Sequence, residues 1–447
     1  MNKPKVVLCW FRRDLRVTDN TAFYKALQSG LPVVPVFVFD KLILDNLEDK
    51  ADRRLTFIYQ ALKTMQSEFI KQGGSLDAYY GIPSEAFTYY SSKYEIEAVY
   101  TNEDYEPYAR ARDTAIASQL KEKEINFYSF KDQVIFAKDE LLSDAGKPYT
   151  VFTPFSKKWR KLLTAEHLAY KPSESLLGNL FKQAEISMPS FSEMGFVETK
   201  GSFPNSQVGN QLIKNYEEQR NFPSVAGTSR IGVHLRFGTV SVRQLVNQAT
   251  DLSQTFVSEL IWRDFYHSVL WHFPQTAKES LKPDYDKIAW RNNEAEFAAW
   301  QEGKTGYPLV DAGMRELSAT GFMHNRVRMV VASFLTKHLL IDWRWGEAWF
   351  AAKLLDYDMA ANIGGWQWAA GGGADAAPYF RIFNPTSQAE KFDANSAYIK
   401  QWVPEFGTSN YPLPIVDHAL ARKRTLAAFQ LALKGEVADL PLFPSDK

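Results

Sequence analysis

The stretch from Asp356 to Pro385 combines residue types that no simple core helix needs. Its unusual members are carboxylates, an amide, glycines and tryptophans: Asp356, Asp358, Asn362, Gly364, Gly365, Trp366, Trp368, Gly371, Gly372 and Gly373. Glycine loses much backbone entropy inside a regular element, so these glycines indicate sharp turns or a close approach to a flat ligand. The carboxylates can accept hydrogen bonds or pair with arginine, and the amide both donates and accepts. A glycine-rich surface loop is the alternative interpretation.

The length of 447 residues is sufficient for two or three domains with buried cores. No apolar run approaches the roughly 20 residues that a membrane-spanning helix needs. The N-terminus lacks the pattern of a secretory signal, so we expect a cytoplasmic protein with no membrane partner. The single cysteine, Cys9, excludes an internal disulfide framework and a cysteine-based metal site, and we expect no metal.

The charge balance does not by itself indicate a nucleic-acid partner. Lys and Arg number 52 and Asp and Glu number 52, so the formal net charge is zero. A neutral protein can still carry a local basic face of the kind that phosphate contacts require. Aromatic residues make up 14% of the chain, with 12 Trp. Such a content suits base stacking or a flat cofactor, although a large helical core would use it too.

The first part of the chain alternates between strand-like and helix-like patterns. Apolar, β-branched runs at residues 5–11, 33–39 and 97–102 predict strands, and residues 51–73 have helical spacing. This alternation predicts a parallel, Rossmann-like α/β sheet over residues 1–130. No G-x-G-x-x-G fingerprint follows the first strand, which argues against a dinucleotide held in the Rossmann manner.

The remaining chain divides into a connector and a helical domain. Residues 131–205 contain proline-bearing segments that interrupt helices, with one short basic helix predicted from Phe152 to Leu163. Helical periodicity dominates residues 206–447. The predicted fold is therefore an α/β N-terminal domain followed by a larger all-α C-terminal domain.

Three short patterns in the helical domain are candidates for a site. Thr228 and Ser229 are typical N-cap residues, and a helix start can cradle a pyrophosphate, although most caps bind nothing. A second pattern places charged and aromatic residues on one helical face: Glu259, Trp262, Arg263 and Tyr266. A Glu259–Arg263 surface pair is its alternative. The third pattern is a helical face formed by Asn325, Arg328 and Met329, of which the methionine is weakest because Met often fills cores.

The runs Asn362–Trp368 and Asp375–Pro385 resemble the flavin-binding signature of DNA photolyases. The closest likeness is to the microbial class I type that repairs cyclobutane pyrimidine dimers, and it covers nearly the whole chain. The resemblance implies a carbon–carbon lyase that acts as a monomer on UV-damaged DNA. It further implies electron transfer from light-excited, reduced FAD to a dimer that is flipped out of the duplex, which restores the two pyrimidines.

The resemblance also assigns roles to individual residues. It implies dimer contacts and an electron-hopping chain for Glu259, Asn325, Met329, Trp290, Trp343 and Trp366. It implies FAD binding for Tyr216, Thr228, Ser229, Arg230, Ile231, Gly232, Arg263, Arg328, Asp356, Asp358 and Asn362. It implies DNA binding for Arg220, Trp262, Arg326, Trp368, Arg381 and Gln388. Within these sets, Arg328 is expected to pair with Asp356. On residue type alone, three separated tryptophans are more often core.

The segment Trp10–Arg16 is similar to the N-terminal signature of the family, whose first domain carries a second, light-harvesting chromophore. On residue chemistry alone, its arginines and aspartate indicate a solvated loop with local salt bridges. Tyr108 and Ala109 stand where folate-using relatives carry an amide and a carboxylate. A deazaflavin, a flavin or an empty site is therefore favoured over folate.

Two other functions within the family are disfavoured by the sequence. His324 is followed by Asn325 rather than by a second histidine, whereas relatives that repair the (6-4) photoproduct use a histidine pair. A cryptochrome-like light receptor usually has a long C-terminal extension, and here the chain ends soon after the helical residues 419–433. One departure from close relatives is Ile363, which stands where they carry a polar residue, with an unknown effect on the flavin.

Overall fold

The computed structural model describes residues 3–434, which form two compact units. The first unit consists of Met1–Ala137, Lys161–Val208 and Arg230–Asp251, and the second of Lys138–Arg160, Gly209–Ser229 and Leu252–Lys447. The predicted domain limits, 1–130, 131–205 and 206–447, stay a prediction, and their parts at residues 1–2 and 435–447 lie outside the described residues. No helix within the described range is long and apolar enough to cross a membrane.

The first unit is built on a five-stranded, all-parallel sheet with the strand order β3-β2-β1-β4-β5. Its strands are β1 Lys5–Phe11, β2 Val33–Asp40, β3 Asp77–Gly81, β4 Glu95–Asn102 and β5 Asn126–Phe130. The predicted strands correspond to β1, β2 and β4, whereas β3 and β5 have five residues each and were not predicted. Apolar side chains on β1 and β2 are buried, as expected of a parallel sheet covered on both faces. The order of the strands reverses between β1 and β4.

The helices are α1 Thr21–Leu27, α2 Lys41–Leu44, α3 Arg53–Lys71, α4 Pro83–Lys93, α5 Pro107–Lys121, α6 Phe152–Leu162, α7 Asn210–Gln219, α8 Gly232–Phe237, α9 Val242–Ala249, α10 Gln254–His272, α11 Glu294–Gln301, α12 Pro308–Thr320, α13 Asn325–Ser333, α14 Trp343–Lys353, α15 Met359–Ala370, α16 Pro385–Phe392, α17 Ala397–Trp402 and α18 His418–Lys434. A π-helical turn, Phe334–His338, follows α13. Helices thus dominate the second unit, and the predicted α/β plus all-α fold class is confirmed. The predicted helices at 51–73 and 152–163 correspond to α3 and α6.

The core of the second unit is a cluster of buried side chains from α11 to α15, among them Trp300, Met314, Trp343, Phe350 and Trp366. Burial of this apolar surface drives the helices together. A glycine makes one close contact possible. A Cβ at Gly346 of α14 would lie 2.1 Å from the ring of Trp366, so a larger residue would push α14 away from α15.

The glycines of the stretch 356–385 differ from the prediction in one respect. Gly364 and Gly365 lie inside α15 rather than in a turn, and a Cβ at Gly364 would lie 2.2 Å from the ring of Tyr266. Gly364 therefore permits a close approach of α10 to α15. The sharp turn occurs at Gly371, which ends α15 with φ +101°.

Candidate functional site

The predicted face of α10 carries Glu259, Trp262, Arg263 and Tyr266 in the second unit. Glu259 forms an ion pair with Arg220, which caps the C-terminus of α7, at 2.5 Å. Both side chains are half-buried. The guanidinium of Arg220 also lies 5.3 Å from the ring of Tyr216. Burial, followed by the negative charge of Glu259, raises the pKa of the Tyr216 hydroxyl well above its ordinary value.

Trp262 is stacked on a residue that the sequence did not suggest. The ring of Phe152, the first residue of α6, lies parallel to the indole at a centroid distance of 3.7 Å. Two hydrogen bonds hold this segment: the Phe152 N–H donates to Asp375 at 3.2 Å, and the Asp375 N–H donates to the Thr150 carbonyl at 2.8 Å. Phe152 therefore covers one face of the Trp262 indole. No local pattern could have paired residues that are so distant in the sequence.

Three arginines predicted to bind DNA lie close enough to influence one another. Burial lowers the pKa of Arg326, and the positive charges of Arg220 and Arg381 lower it further. Arg326 donates to the side chain of Asn221 at 2.6 Å. Within the described residues, neither Arg326 nor Arg381 has a carboxylate at ion-pair distance, so this group, the arginine cluster, has an excess of positive charge.

The remaining predicted DNA contacts lie on α13 and α15, for the base pocket, and on α16, where Gln388 is predicted to contact a phosphate. Asn325 begins α13 and is exposed, and the sulfur of Met329 lies 3.8 Å from the guanidinium of Arg326. Trp368 is half-buried, and its ring centroid is 6.5 Å from that of Phe383. Gln388 has a buried Oε1 with no hydrogen-bond partner in the described part of the chain. The roles of these residues stay predictions.

The expected pair of Arg328 and Asp356 is present in the structure. One Nη of Arg328 contacts both carboxylate oxygens, at 3.1 and 3.0 Å, and its Nε donates to the Met323 carbonyl. Two residues further on, Asp358 is the N-cap of α15, and its side chain accepts a hydrogen bond from the Ala361 N–H at 3.2 Å. The arrangement fixes two carboxylates at the start of the helix that carries Asn362. Their position beside a flavin stays a prediction.

The amide of Asn362 is oriented by Glu347, a residue of α14 that the sequence analysis missed. Its Nδ2 donates to the Glu347 carbonyl at 3.2 Å and to the carboxylate at 2.9 Å. Burial raises the pKa of the Glu347 carboxyl, although hydrogen bonds from Asn362 and Tyr357 oppose this. Because the Nδ2 group already donates to Glu347, the amide oxygen is the atom that can accept a hydrogen bond from a ligand. A reduced flavin carries an N–H at N5, so this acceptor fits FAD.

The predicted phosphate cradle does not have the expected helix cap. Thr228 and Ser229 belong to the second unit, and Arg230, Ile231 and Gly232 to the first. Helix α8 begins at Gly232 with Ile231 as its N-cap, and no side chain makes the capping hydrogen bond. The prediction that Thr228 and Ser229 are N-caps is therefore wrong. Arg230 has φ +51°, outside the right-handed helical region, so the helix can begin only after it.

The predicted electron-hopping residues are all associated with the core of the second unit. Trp343 and Trp366 are buried in it, and Trp290 is half-buried against it. No two of these three rings are in direct ring contact within the described residues. The rings around Trp366 are those of Phe350 and Trp300, at 5.0 and 6.1 Å. Burial confirms a core position, and the electron-transfer role stays a prediction.

The segment after β1 in the first unit is buried rather than solvated, which contradicts the residue-based interpretation. Asp14 is 4% exposed and Arg16 is 7% exposed. Arg12 pairs with Asp113, and the guanidinium groups of Arg12 and Arg112 lie 4.8 and 5.0 Å from the ring centroid of Trp10. The ion pairs were expected, but their burial depends on segments that come from elsewhere in the unit.

The carboxyl ends of β1 and β4 form the place where open α/β sheets bind ligands. Here, charged and amide side chains surround a cavity of only about 10 Å³: Arg12, Arg13, Asp14, Asn102, Glu103, Asp104, Asp132 and Gln133. Nearby, the Tyr108 hydroxyl donates to Asp40 at 2.5 Å. No group of residues in the described chain could hold a metal ion through His, Cys, Asp or Glu.

Two family models match the chain. Residues 7–174 match "DNA photolyase", and residues 256–410 match "FAD binding domain of DNA photolyase". A deoxyribodipyrimidine photo-lyase of Synechococcus sp. is 37% identical, with 97% of this chain and 98% of the relative covered. The enzyme of the same name from Escherichia coli is 37% identical, with 96% and 99% covered.

Solved structures show the same relationship. A class III photolyase from Agrobacterium tumefaciens superposes with a TM-score of 0.85 at 35% identity, over 97% of this chain and 99% of its own. An archaeal photolyase from Sulfolobus tokodaii with two FAD molecules gives 0.80 at 31%, over 95% and 99%. The fold and the site define a two-part protein with a helical FAD-binding region. The chain belongs to the DNA photolyase family. The class I assignment stays a prediction, because one of these structures is a class III enzyme.

Proposed function

We propose that the protein is a light-driven deoxyribodipyrimidine photo-lyase that splits cyclobutane pyrimidine dimers in UV-damaged DNA. Relatives of that name match nearly the whole chain. The structural observation that carries the proposal is the orientation of the Asn362 amide. Glu347 holds the amide nitrogen, so the amide oxygen can accept a hydrogen bond from reduced FAD.

When bound, reduced and excited by light, FAD would supply the electron that opens the cyclobutane ring and would take it back once the two pyrimidines are restored. The protein's own residues bind and orient. Asn362 presents a hydrogen-bond acceptor, and the Arg328–Asp356 pair holds charge beside it. Trp290, Trp343 and Trp366 form the proposed route by which the flavin is reduced. The cradle for the FAD phosphates, with Tyr216 and residues 228–232, is part of the proposal.

The arginine cluster of Arg220, Arg326 and Arg381 supplies the contacts to DNA phosphates. Its excess positive charge would be neutralised by a polyanion, and such contacts position the duplex without reading its sequence. Damage is recognised by a separate group of residues, Glu259, Trp262, Asn325, Met329 and Trp368. Glu259 also pairs with Arg220, so phosphate binding and dimer recognition share one ion pair.

A light receptor without repair activity is the second candidate. A cryptochrome of Synechocystis sp. superposes with a TM-score of 0.82 at 26% identity, over 95% of this chain and 99% of its own. The two functions share a fold, so the fold does not separate them. The arginine cluster and the retained base pocket support repair.

A second chromophore remains part of the proposal, with a flavin or a deazaflavin favoured over folate. The archaeal structure with two FAD molecules supports a flavin. The small cavity at the carboxyl ends of β1 and β4 favours an empty site instead. A monomeric state and a cytoplasmic location stay predictions.

The test is repair under blue light. The chemically reduced protein is mixed with an oligonucleotide that contains a thymine dimer, and the recovery of thymine absorbance is followed, with a dark sample and a (6-4) photoproduct as controls. We expect recovery only in the light and only on the cyclobutane dimer. No recovery, despite bound and reduced FAD, would favour the light receptor.

A further inference from the structure

Lys337 is a buried lysine that none of the roles above includes. It lies in the π-helical turn Phe334–His338 and is 2% exposed. Its Nζ donates a hydrogen bond to the backbone carbonyl of Arg381 at 2.9 Å. The described residues place no carboxylate at ion-pair distance from this ammonium group. The lysine therefore carries a buried charge whose one hydrogen bond goes to a residue of the arginine cluster.

Such a position costs stability. An ammonium group loses its hydration on burial, and a carbonyl compensates less than a carboxylate does. Burial, followed by the charge of Arg381, lowers the pKa of Lys337 to about 8. A methionine of similar length would avoid this cost, so the charge is not explained by packing alone.

The backbone around Lys337 is held in place by α18. The Thr425 hydroxyl donates to the Lys337 carbonyl, and the guanidinium of Arg424 donates to the His338 carbonyl at 2.5 Å. π-Helical turns are rare in proteins, and those that occur are often found at functional sites. The two hydrogen bonds from α18 fix the backbone that carries Lys337.

Arg381, by contrast, is exposed at its side chain and lies in the segment between α15 and α16. This segment also contacts α18, since the ring of Tyr379 stacks on that of Phe429 at a centroid distance of 6.0 Å with an angle of 16° between the rings. Lys337 and Phe429 thus hold the segment on either side of Phe380. The hydrogen bond from Lys337 holds the Arg381 carbonyl group, which is bonded to the Cα from which the side chain projects.

We propose that Lys337 is a positioning residue for DNA binding. It holds the backbone of Arg381 so that the guanidinium faces a DNA phosphate, and it adds a buried positive charge behind the arginine cluster. The inference rests on the proposed function, because it assumes that Arg381 contacts DNA.

Proton linkage gives a readout that a purely structural role would not produce. A phosphate bound at Arg381 stabilises the protonated form of Lys337, so the pKa of Lys337 is higher in the complex than in the free protein. Protonation of Lys337 then favours binding, and affinity falls as the pH rises above about 8. Of the neighbouring groups, Arg424 has a pKa that burial, followed by the charge of Arg291, lowers to about 10, which is above this range. The pKa of His338, which burial and then His418 lower to about 3, is also far from it.

The experiment uses four variants. Lys337→Met removes the charge and the donor, and Lys337→Gln removes the charge but keeps a donor. They are compared with Arg381→Ala and with the double variant K337M/R381A. Binding to undamaged and dimer-containing duplexes is measured from pH 7 to 9. We expect K337M to weaken binding to both duplexes by about fivefold at pH 7, which corresponds to the loss of one net hydrogen bond. K337Q keeps a donor for the Arg381 carbonyl, so it should bind at least as tightly as K337M, and both variants should lose the pH dependence. The double variant should bind no worse than R381A.

Flavin content and thermal unfolding show whether K337M folds, and we expect an equal or higher Tm because a buried charge is removed. Lys304→Met is the matched control, since Lys304 is exposed and pairs with Glu302. Wild-type affinity in K337M, additive losses in the double variant, or an unchanged pH profile would each overturn the inference. A wild-type protein that binds no DNA would overturn the proposed function as well, which distinguishes the two failures.

Discussion

Two groups of arginines in this protein have opposite surroundings. In the first unit, Arg16 and Arg243 are buried, both contact Asp132, and Arg243 also contacts Asp19, so each of these four charges has a partner of opposite sign. In the second unit, Arg326 and Arg381 have no carboxylate at ion-pair distance in the described chain. The first arrangement is complete and holds the unit together, whereas the second is complete only when an anion binds. The difference separates a structural ion network from a binding surface.

The largest expected effect follows from breaking the complete network. Asp132 contacts both Arg16 and Arg243, so Asp132→Asn leaves two buried guanidinium groups with less compensation. We expect a loss of about 3–5 kcal/mol in the free energy of unfolding, measured by denaturant titration. Repair per folded molecule should not change. Glu97→Gln, at an exposed pair with Lys5, is the control, with at most about 0.5 kcal/mol expected.

The same carboxylate predicts a pH dependence of stability. Burial raises the pKa of Asp132, but Arg16 and Arg243 outweigh it and lower the pKa to about 2. Because the folded pKa lies below the unfolded value of about 3.9, the contribution is present above pH 4 and is lost as the pH falls towards 2. D132N should lack this contribution. Equal acid sensitivity in both proteins would contradict the network.

The second effect concerns recognition of damage. Trp368→Ala should weaken binding to a dimer-containing duplex by about 1–3 kcal/mol, the value of a base–aromatic stack, and should weaken undamaged binding much less. Trp368→Phe keeps a flat ring and should retain most of the difference. Equal losses on both duplexes would remove Trp368 from the base pocket.

The smallest effect is expected at one member of the arginine cluster. Arg326→Met should weaken damaged and undamaged binding alike, by about tenfold, and reduce the slope of log affinity against log salt by about one. Unlike D132N, it should not destabilise the fold, because the cation it removes has no ion-pair partner in the described residues. Arg422→Met, at an exposed position on α18, is the control. A large loss of stability in R326M would mean that the cluster is structural after all.

Local sequence patterns were sufficient for the regular elements. The apolar runs at 5–11 and 33–39 became strands because β-branched side chains suit a buried sheet. The spacing of Glu259, Trp262, Arg263 and Tyr266 matched the helix α10. The predicted N-caps Thr228 and Ser229 were wrong because of one backbone angle. The positive φ of Arg230 prevents a helix from starting before it, so α8 begins at Gly232.

The sequence by itself determined the fold class, the family and the residue types that a flavin and damaged DNA would need. Only the tertiary structure decided which of those residues have partners. Three contacts join residues that are distant along the chain or on different helices. They are the hydrogen bond of Asn362 to Glu347, the stacking of Phe152 on Trp262 and the hydrogen bond of Lys337 to the Arg381 carbonyl. Helical periodicity predicts which face a side chain shares, but it does not predict what packs against that face. Burial and ion pairing depend on those distant neighbours, and they decide whether a charge holds the fold together or is left to bind a ligand.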